Sequence, residues 1–214
     1  MSSTQSLILG ATGLVGNELL SLLLEKENKV RLLLRRKLDL KSKKIQQVVL
    51  EELDSMTLEH FKGVETVYCC LGTTIKTAKT KDAFKKVDYE YPLMAARLAK
   101  EAGVKNFICI SAKGSSIDSA FFYSQVKGEL ERDLKAVGIE KLHIVRPSLL
   151  IGERSEFRLG EAIGQLFSKS VLPLLKSVLG TYSPIEAKKV AFTMWELATY
   201  GMHTSKNIEV ESRK

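Results

Sequence analysis

The stretch Gly10-Ala11-Thr12-Gly13-Leu14-Val15-Gly16 constrains this chain most. It follows the apolar run Leu7-Ile8-Leu9 and leads into an apolar series at Leu14, Val15, Leu19, Leu20, Leu22 and Leu23, the pattern of a strand, a tight turn and a helix. Residues without side chains let the backbone turn sharply there and approach a pyrophosphate, whose charge is favoured by the free N–H groups and dipole at the helix N-terminus. A nucleotide is therefore the expected ligand, with residues 10–16 as its contacts. The glycines fall as G-x-x-G-x-x-G rather than as the dinucleotide fingerprint G-x-G-x-x-G, so a tight turn without a ligand is the competing reading.

Beyond the turn, strands and helices alternate. Lys29 to Leu34 reads as a second strand, Gln47 to Leu50 as a third and Val64 to Leu71 as a fourth, with a short helix about Ser55 to Phe61 before it. A helix from Asp88, with Pro92 in its first turns, ends at Gly103, and Lys105 to Ile110 is strand five. The next helix carries Phe121, Phe122, Tyr123, Val126, Lys127, Leu130 and Leu134 and stops at Gly138. Leu142 to Arg146 is strand six, closed by Pro147, which has no N–H for the ladder. Ser183-Pro184-Ile185-Glu186 has capping-box spacing with proline at the first helical position, so a helix should start there and run to about Tyr200, and Asn207 to Val210 adds a last strand. Alternation of this kind predicts a parallel sheet. The expected fold is α/β, a Rossmann-type doubly wound sheet. A chain of 214 residues suits one well-buried domain, 1–214, in which 152–214 forms a small C-terminal lid over the substrate.

Arg35-Arg36 ends the second strand about 20 residues past the glycines, where an NAD site usually places an acid for the ribose 2′-hydroxyl and an NADP site an arginine for the 2′-phosphate. Two guanidiniums and no acid favour NADP(H) over NAD(H). Leu71-Gly72-Thr73 follows strand four at its carboxyl end, the edge of a parallel sheet where ligands lie. Strand five delivers Ser111 to the same edge, and the helix after it sets Tyr123 and Lys127 four apart, on one face. Tyrosine ionises near pH 10, so an ammonium beside it favours phenolate and makes it a usable acid or base, while a serine opposite can hold a substrate oxygen. As an isolated pair, Tyr-x-x-x-Lys is common on amphipathic helices; its place after strand five gives it weight.

The formal charge of +8 suits an anionic ligand, a membrane surface or nucleic acid. No zinc-finger spacing and no interleaving of basic and aromatic residues is present, so nucleic-acid binding through Lys41, Lys43 and Lys44 ranks last. Cys69, Cys70 and Cys109 read as buried thiols, the adjacent pair pointing to opposite sheet faces. With no C-x-x-C and scattered His60, His143 and His203, no metal is expected. Strand one begins close to Met1 and no apolar run approaches the roughly 18 residues of a membrane span, so a cytosolic protein is expected. The helix stripes do not distinguish a monomer from an oligomer.

Taken together, Gly10 to Gly16, Arg35-Arg36, Cys69-Cys70-Leu71-Gly72-Thr73-Thr74, Ser111-Ala112-Lys113-Gly114, Tyr123-Ser124-Gln125-Val126-Lys127-Gly128-Glu129 and Arg146-Pro147-Ser148-Leu149-Leu150 resemble the Tat-interacting-protein family of atypical short-chain dehydrogenase/reductases. The resemblance spans almost the whole chain. It implies an NADP-binding Rossmann fold with Ser111, Tyr123 and Lys127 as the catalytic set, and cofactor contacts from residues 10–16, Arg35, Arg36, Leu71, Gly72, Thr73, Tyr123, Lys127 and Pro147. Two departures stand out: Leu50 lies where many short-chain enzymes place an adenine-binding aspartate, and Ser148 where larger relatives have a Pro-Gly pair. The expected function is an NADPH-dependent oxidoreductase acting on a small carbonyl substrate. The alternative is an NADPH-binding regulator that meets a protein partner without useful turnover. Arg154 and Arg158 are either anion ligands in the lid or surface ion-pair residues.

Overall fold

A computed structural model describes residues 5–26, 28–151, 184–201 and 206–210. Among them, seven strands build one parallel sheet in the order β3-β2-β1-β4-β5-β6-β9. They are β1 (Gln5–Leu9), β2 (Lys29–Leu34), β3 (Ile45–Val49), β4 (Thr66–Cys69), β5 (Asn106–Ile110), β6 (Lys141–Pro147) and β9 (Lys206–Val210). The chain winds outward from β1 to β3, then returns to β4 on the other side of β1. That reversal leaves a crevice at the carboxyl ends of β1 and β4, the position where open α/β sheets take ligands.

Strand side chains alternate between two cores, so the central strands are apolar throughout. Leu7, Leu9, Val67, Phe107 and Ile144 pack with Ala95, Ala96 and Ala99 of α4 (Tyr91–Glu101) and Leu130 and Leu134 of α5 (Phe122–Val137). Ile8, Leu32, Tyr68, Ile108 and Val145 face the other way, against Val15, Leu19 and Leu23 of α1 (Leu14–Glu25) and Val190 and Met194 of α6 (Ala187–Tyr200). Cys69 lies in the first core and Cys70 against the second, while Cys109 sits opposite Cys69 in register.

Several local expectations are corrected. The stretch about Ser55 to Phe61 forms two 3-10 turns, Leu53–Ser55 and Leu58–His60, because Met56 between them is extended and His60 Nδ1 accepts the Thr57 N–H at 3.0 Å. No helix starts at Asp88. Helical structure starts before it, with α2 (Ile75–Ala78) and then α3 (Lys81–Lys85), and continues through a π-helical turn, Lys86–Glu90, into α4. Pro92 explains the wide turn: its ring would meet the carbonyl four residues back, at Asp88, in a regular α-helix. Strand β6 continues through Pro147, whose carbonyl accepts the Lys113 N–H at 3.0 Å; proline lacks a donor, not an acceptor.

The capping box at Ser183 to Glu186 does not start a helix either. Ile185 donates its N–H to the Leu149 carbonyl at 2.8 Å, drawing Ile185–Glu186 (β8) into a parallel pair with Leu150–Ile151 (β7), and α6 begins at Ala187. Of the expected lid, residues 152–183, with Arg154 and Arg158, lie outside the described residues. Residues 187–200 pack as α6 beside α1, and 206–210 extend the main sheet next to β6.

Candidate active site

At the end of β1 the backbone reverses over Gly10, whose φ of +82° lies in the left-handed region open to glycine. The Gly13 N–H closes the turn on the Gly10 carbonyl at 3.0 Å, and Gly13 caps α1 with no side-chain bond to the first N–H groups. Glycine at the cap offers those donors no side-chain oxygen, which suits an anion site. A Cβ on Gly16 would sit 2.2 Å from the Gly10 oxygen, and one on Gly10 would sit 2.6 Å from the Cys70 oxygen. The spacing of the three glycines thus follows from backbone packed on backbone.

Replacing Gly16 by Ala should force the turn open and weaken binding of a nicotinamide nucleotide by about fivefold to a hundredfold, taking overpacking at about 1–3 kcal/mol. Nicotinamide fluorescence titration checks this. Wild-type affinity in the variant would show that the turn yields without disturbing the cradle.

Arg35 and Arg36 follow β2 directly and are exposed. On the other side of β1, the loop after β4 brings Gly72 and Thr73 to the crevice, with Thr73 donating its N–H to Asp88 Oδ2 at 2.8 Å. Lys127 is buried, and its Nζ lies 2.7 Å from Asp88 Oδ1. Burial by itself would lower the Lys127 ammonium, but the carboxylate of Asp88 and the nearby Tyr123 outweigh it and hold the group above its ordinary value. Tyr123 stands one turn before Lys127 with its ring against Phe84, centroids 5.6 Å apart. Burial raises its phenol; Lys127 pulls the other way, and the Asp88 charge adds to the rise. The ammonium pulls the phenol toward phenolate, as the four-residue spacing implies, but burial outweighs it. Its phenol, raised above the ordinary value near 10, keeps its proton at neutral pH.

Ser111 is also buried, but other partners hold it. Its Oγ donates to Glu131 Oε1 at 2.5 Å and lies 3.0 Å from Ser115 Oγ. Glu131, itself buried, is clamped by the Arg146 guanidinium, whose Nε reaches Oε1 at 2.9 Å. Glu131 comes eight residues after Tyr123 on α5, about 12 Å along the axis. Tyr123 and Lys127 are thus brought together, and the Ser111 hydroxyl shares no hydrogen bond with either among the described residues. Pro147 lies at the carboxyl end of β6, on the same sheet edge.

Two residues of this arrangement are not read from the sequence: Asp88 reads only as a helix start and lies 39 residues from Lys127, and Glu131 carries no reading at all. Neither has a short-range signal. Among the described residues no cluster of His, Cys, Asp or Glu has the makings of a metal site, and no helix is long and apolar enough to cross a membrane.

A family model described as NAD(P)H-binding matches residues 10–170. Protein HTATIP2 of Rattus norvegicus is 37% identical over 177 residues, 80% of this chain and 73% of that protein. Protein FMP52, mitochondrial, of Candida albicans is 32% identical over 204 residues, 92% of this chain and 88% of its own. Among solved structures, the oxidoreductase ylbE from Lactococcus lactis superimposes with a TM-score of 0.69 at 19% identity, covering 96% of this chain and 90% of that one, a likeness of fold. The FMP52 relatives overturn the expectation of a cytosolic protein, since they are mitochondrial by name and match most of this chain. With an NAD(P)H-binding, oxidoreductase-like Rossmann fold and relatives at this identity, the chain belongs to the NAD(P)H-binding family that includes protein HTATIP2 and the FMP52 proteins.

Proposed function

We propose that this protein is an NADPH-dependent oxidoreductase that reduces a small carbonyl compound. The observation that carries the reading is the buried Lys127 one turn from a protonated Tyr123, at the same sheet edge as a glycine turn that a single Cβ would obstruct. When bound, the reduced nicotinamide supplies a hydride. Tyr123 gives the proton that the carbonyl oxygen needs, Lys127 holds ribose hydroxyls and orders the phenol, and residues 10–16, Leu71, Gly72, Thr73 and Pro147 line the cofactor. Arg35 and Arg36 meet the 2′-phosphate, which is the basis for preferring NADPH. The mitochondrial relatives support a mitochondrial location.

Titration with NADPH and NADH, followed by nicotinamide fluorescence, tests the cofactor half. The expected preference is about tenfold for NADPH, some 1.4 kcal/mol, and it should vanish in Arg35→Ala/Arg36→Ala. Equal binding of both nucleotides to the unaltered chain would remove the role given to the arginines.

A second reading, a cofactor-dependent regulator without turnover, is favoured by Ser111, whose hydroxyl is engaged with Glu131 and Ser115 rather than free for a substrate oxygen. It predicts a protein partner whose affinity changes with NADPH and no NADPH oxidation across a carbonyl panel. Oxidation of NADPH by any member of that panel decides for the enzyme.

A further inference from the structure

The segment from α3 through the π turn lies alongside α5, contacting it in nearly the same order along both. The Lys81 ammonium sits 5.0 Å from the centre of the Phe122 ring, Phe84 packs on Tyr123, Asp88 pairs with Lys127, and the Tyr89 hydroxyl donates to Asp133 at 2.6 Å. Two residues one turn apart on the first segment therefore face the two residues of the reacting pair on the second. Asp88 is the more consequential of them because it is charged, almost wholly buried and placed in a π turn, a rare conformation that recurs at functional sites. Its two oxygens serve different elements: Oδ1 lies against Lys127 and Oδ2 accepts the Thr73 N–H from the loop beside the cofactor crevice.

We propose that Asp88 is the positioning residue of the Tyr123–Lys127 pair, fixing the ammonium through a buried ion pair and tying it, through Thr73, to the loop after β4. This rests on reading Tyr123 as a proton donor, and it adds a fixed counter-charge that acts with burial to keep the donor protonated. The groups that act on the pair are Asp88 from the π turn and the thiols of Cys69 and Cys109 at the ends of β4 and β5; Phe84 from α3 is apolar. Asp88 is the one carboxylate among them. Without it a buried ammonium and a half-buried phenol stand side by side with no counter-charge. Burial then favours the neutral lysine, the ammonium favours phenolate, and either way the pair gives up its first proton at a lower pH.

The test is Asp88→Asn, which keeps the shape of the side chain and removes its charge. Lys127 is followed by NMR of ¹³Cε-labelled lysine, assigned with Lys127→Met, and Tyr123 by tyrosinate absorbance, with Tyr123→Phe subtracted. The expected result is a first deprotonation of the pair about one pH unit or more below that of the unaltered protein, and its recovery in Asp88→Glu. Unchanged titration of both residues in folded Asp88→Asn would overturn the proposal. Should that variant not fold, the unaltered chain decides instead: a Lys127 Nζ signal distinct from the exposed lysines in ¹⁵N NMR, with ammonium protons slow to exchange with water, is expected of the buried pair, and a signal averaged with the exposed lysines overturns it. Neither probe uses turnover. A carbonyl panel without activity would remove the donor reading of Tyr123 and leave the Asp88 result standing.

Discussion

Tyr123→Phe is expected to lower the turnover of a carbonyl substrate by about 10²–10⁴-fold, the range that a positioned proton donor supplies. Its NADPH affinity should change little, because phenylalanine keeps the ring against Phe84 and leaves the Lys127–Asp88 ion pair intact. The sign of the pH dependence follows from the direction of the shift. Burial raises the Tyr123 phenol above its ordinary value near 10, so the donor form persists through neutral and mildly alkaline pH, and reduction should decline only above the ordinary tyrosine range. That alkaline limb should be missing from the residual activity of the phenylalanine variant. Steady-state kinetics from pH 6 upward, with separate fluorescence titration of NADPH, checks both parts. A Tyr123→Phe enzyme with full turnover would sink the mechanism, and one that had lost NADPH affinity would show that the hydroxyl acts in binding.

The parts of this molecule that were legible in the sequence depend on contacts between near neighbours. In α1, Leu19, Leu20 and Leu23 recur at helical spacing, and β2 is legible because Val30 and Leu32 to Leu34 end abruptly at Arg35-Arg36. The glycine turn is legible in part for the same reason, since Gly16 is crowded by Gly10 and Ala11, whereas Gly10 is crowded by Cys70 and Leu71. What escaped was set by partners far along the chain. Ser183-Pro184-Ile185-Glu186 carries a local helix-start signal, yet Ile185 finds a strand partner at Leu149–Leu150, and that hydrogen bond decides its conformation. Asp88 and Pro92 together make the π turn, a departure that a 3.6-residue period has no means of signalling. At Tyr123 the spacing shows Lys127 alone; the burial that raises the phenol and the Asp88 charge that adds to it come from partners far along the chain.

Glu131→Ala should cost about 3 kcal/mol of folding stability, the lower end for breaking a buried ion pair because the Arg146 side chain is 22% exposed. For a chain of this length that is a fall of roughly 10 °C in Tm, measurable by circular dichroism. The loss arises less from the attraction forfeited than from the groups left behind, a guanidinium and the Ser111 hydroxyl that both point at the vanished carboxylate. Ser111→Ala, by removing one hydrogen bond to a charged group, should lose about 1.5–3 kcal/mol. The same two variants separate the roles that Ser111 can have. If its hydroxyl serves the Glu131–Arg146 cluster, both variants are less stable and both retain most of their turnover, since Tyr123 and Lys127 are untouched. If Ser111 instead turns toward a bound carbonyl, Ser111→Ala loses turnover out of proportion to its stability while Glu131→Ala frees the hydroxyl and keeps activity. The hydrogen bonds present favour the first outcome. In that case the oxygen of the substrate is met by the Tyr123 hydroxyl, and the serine acts by holding the loop from Ala112 to Ser116 against α5, where Gly128 has no Cβ to keep the Ser116 backbone away.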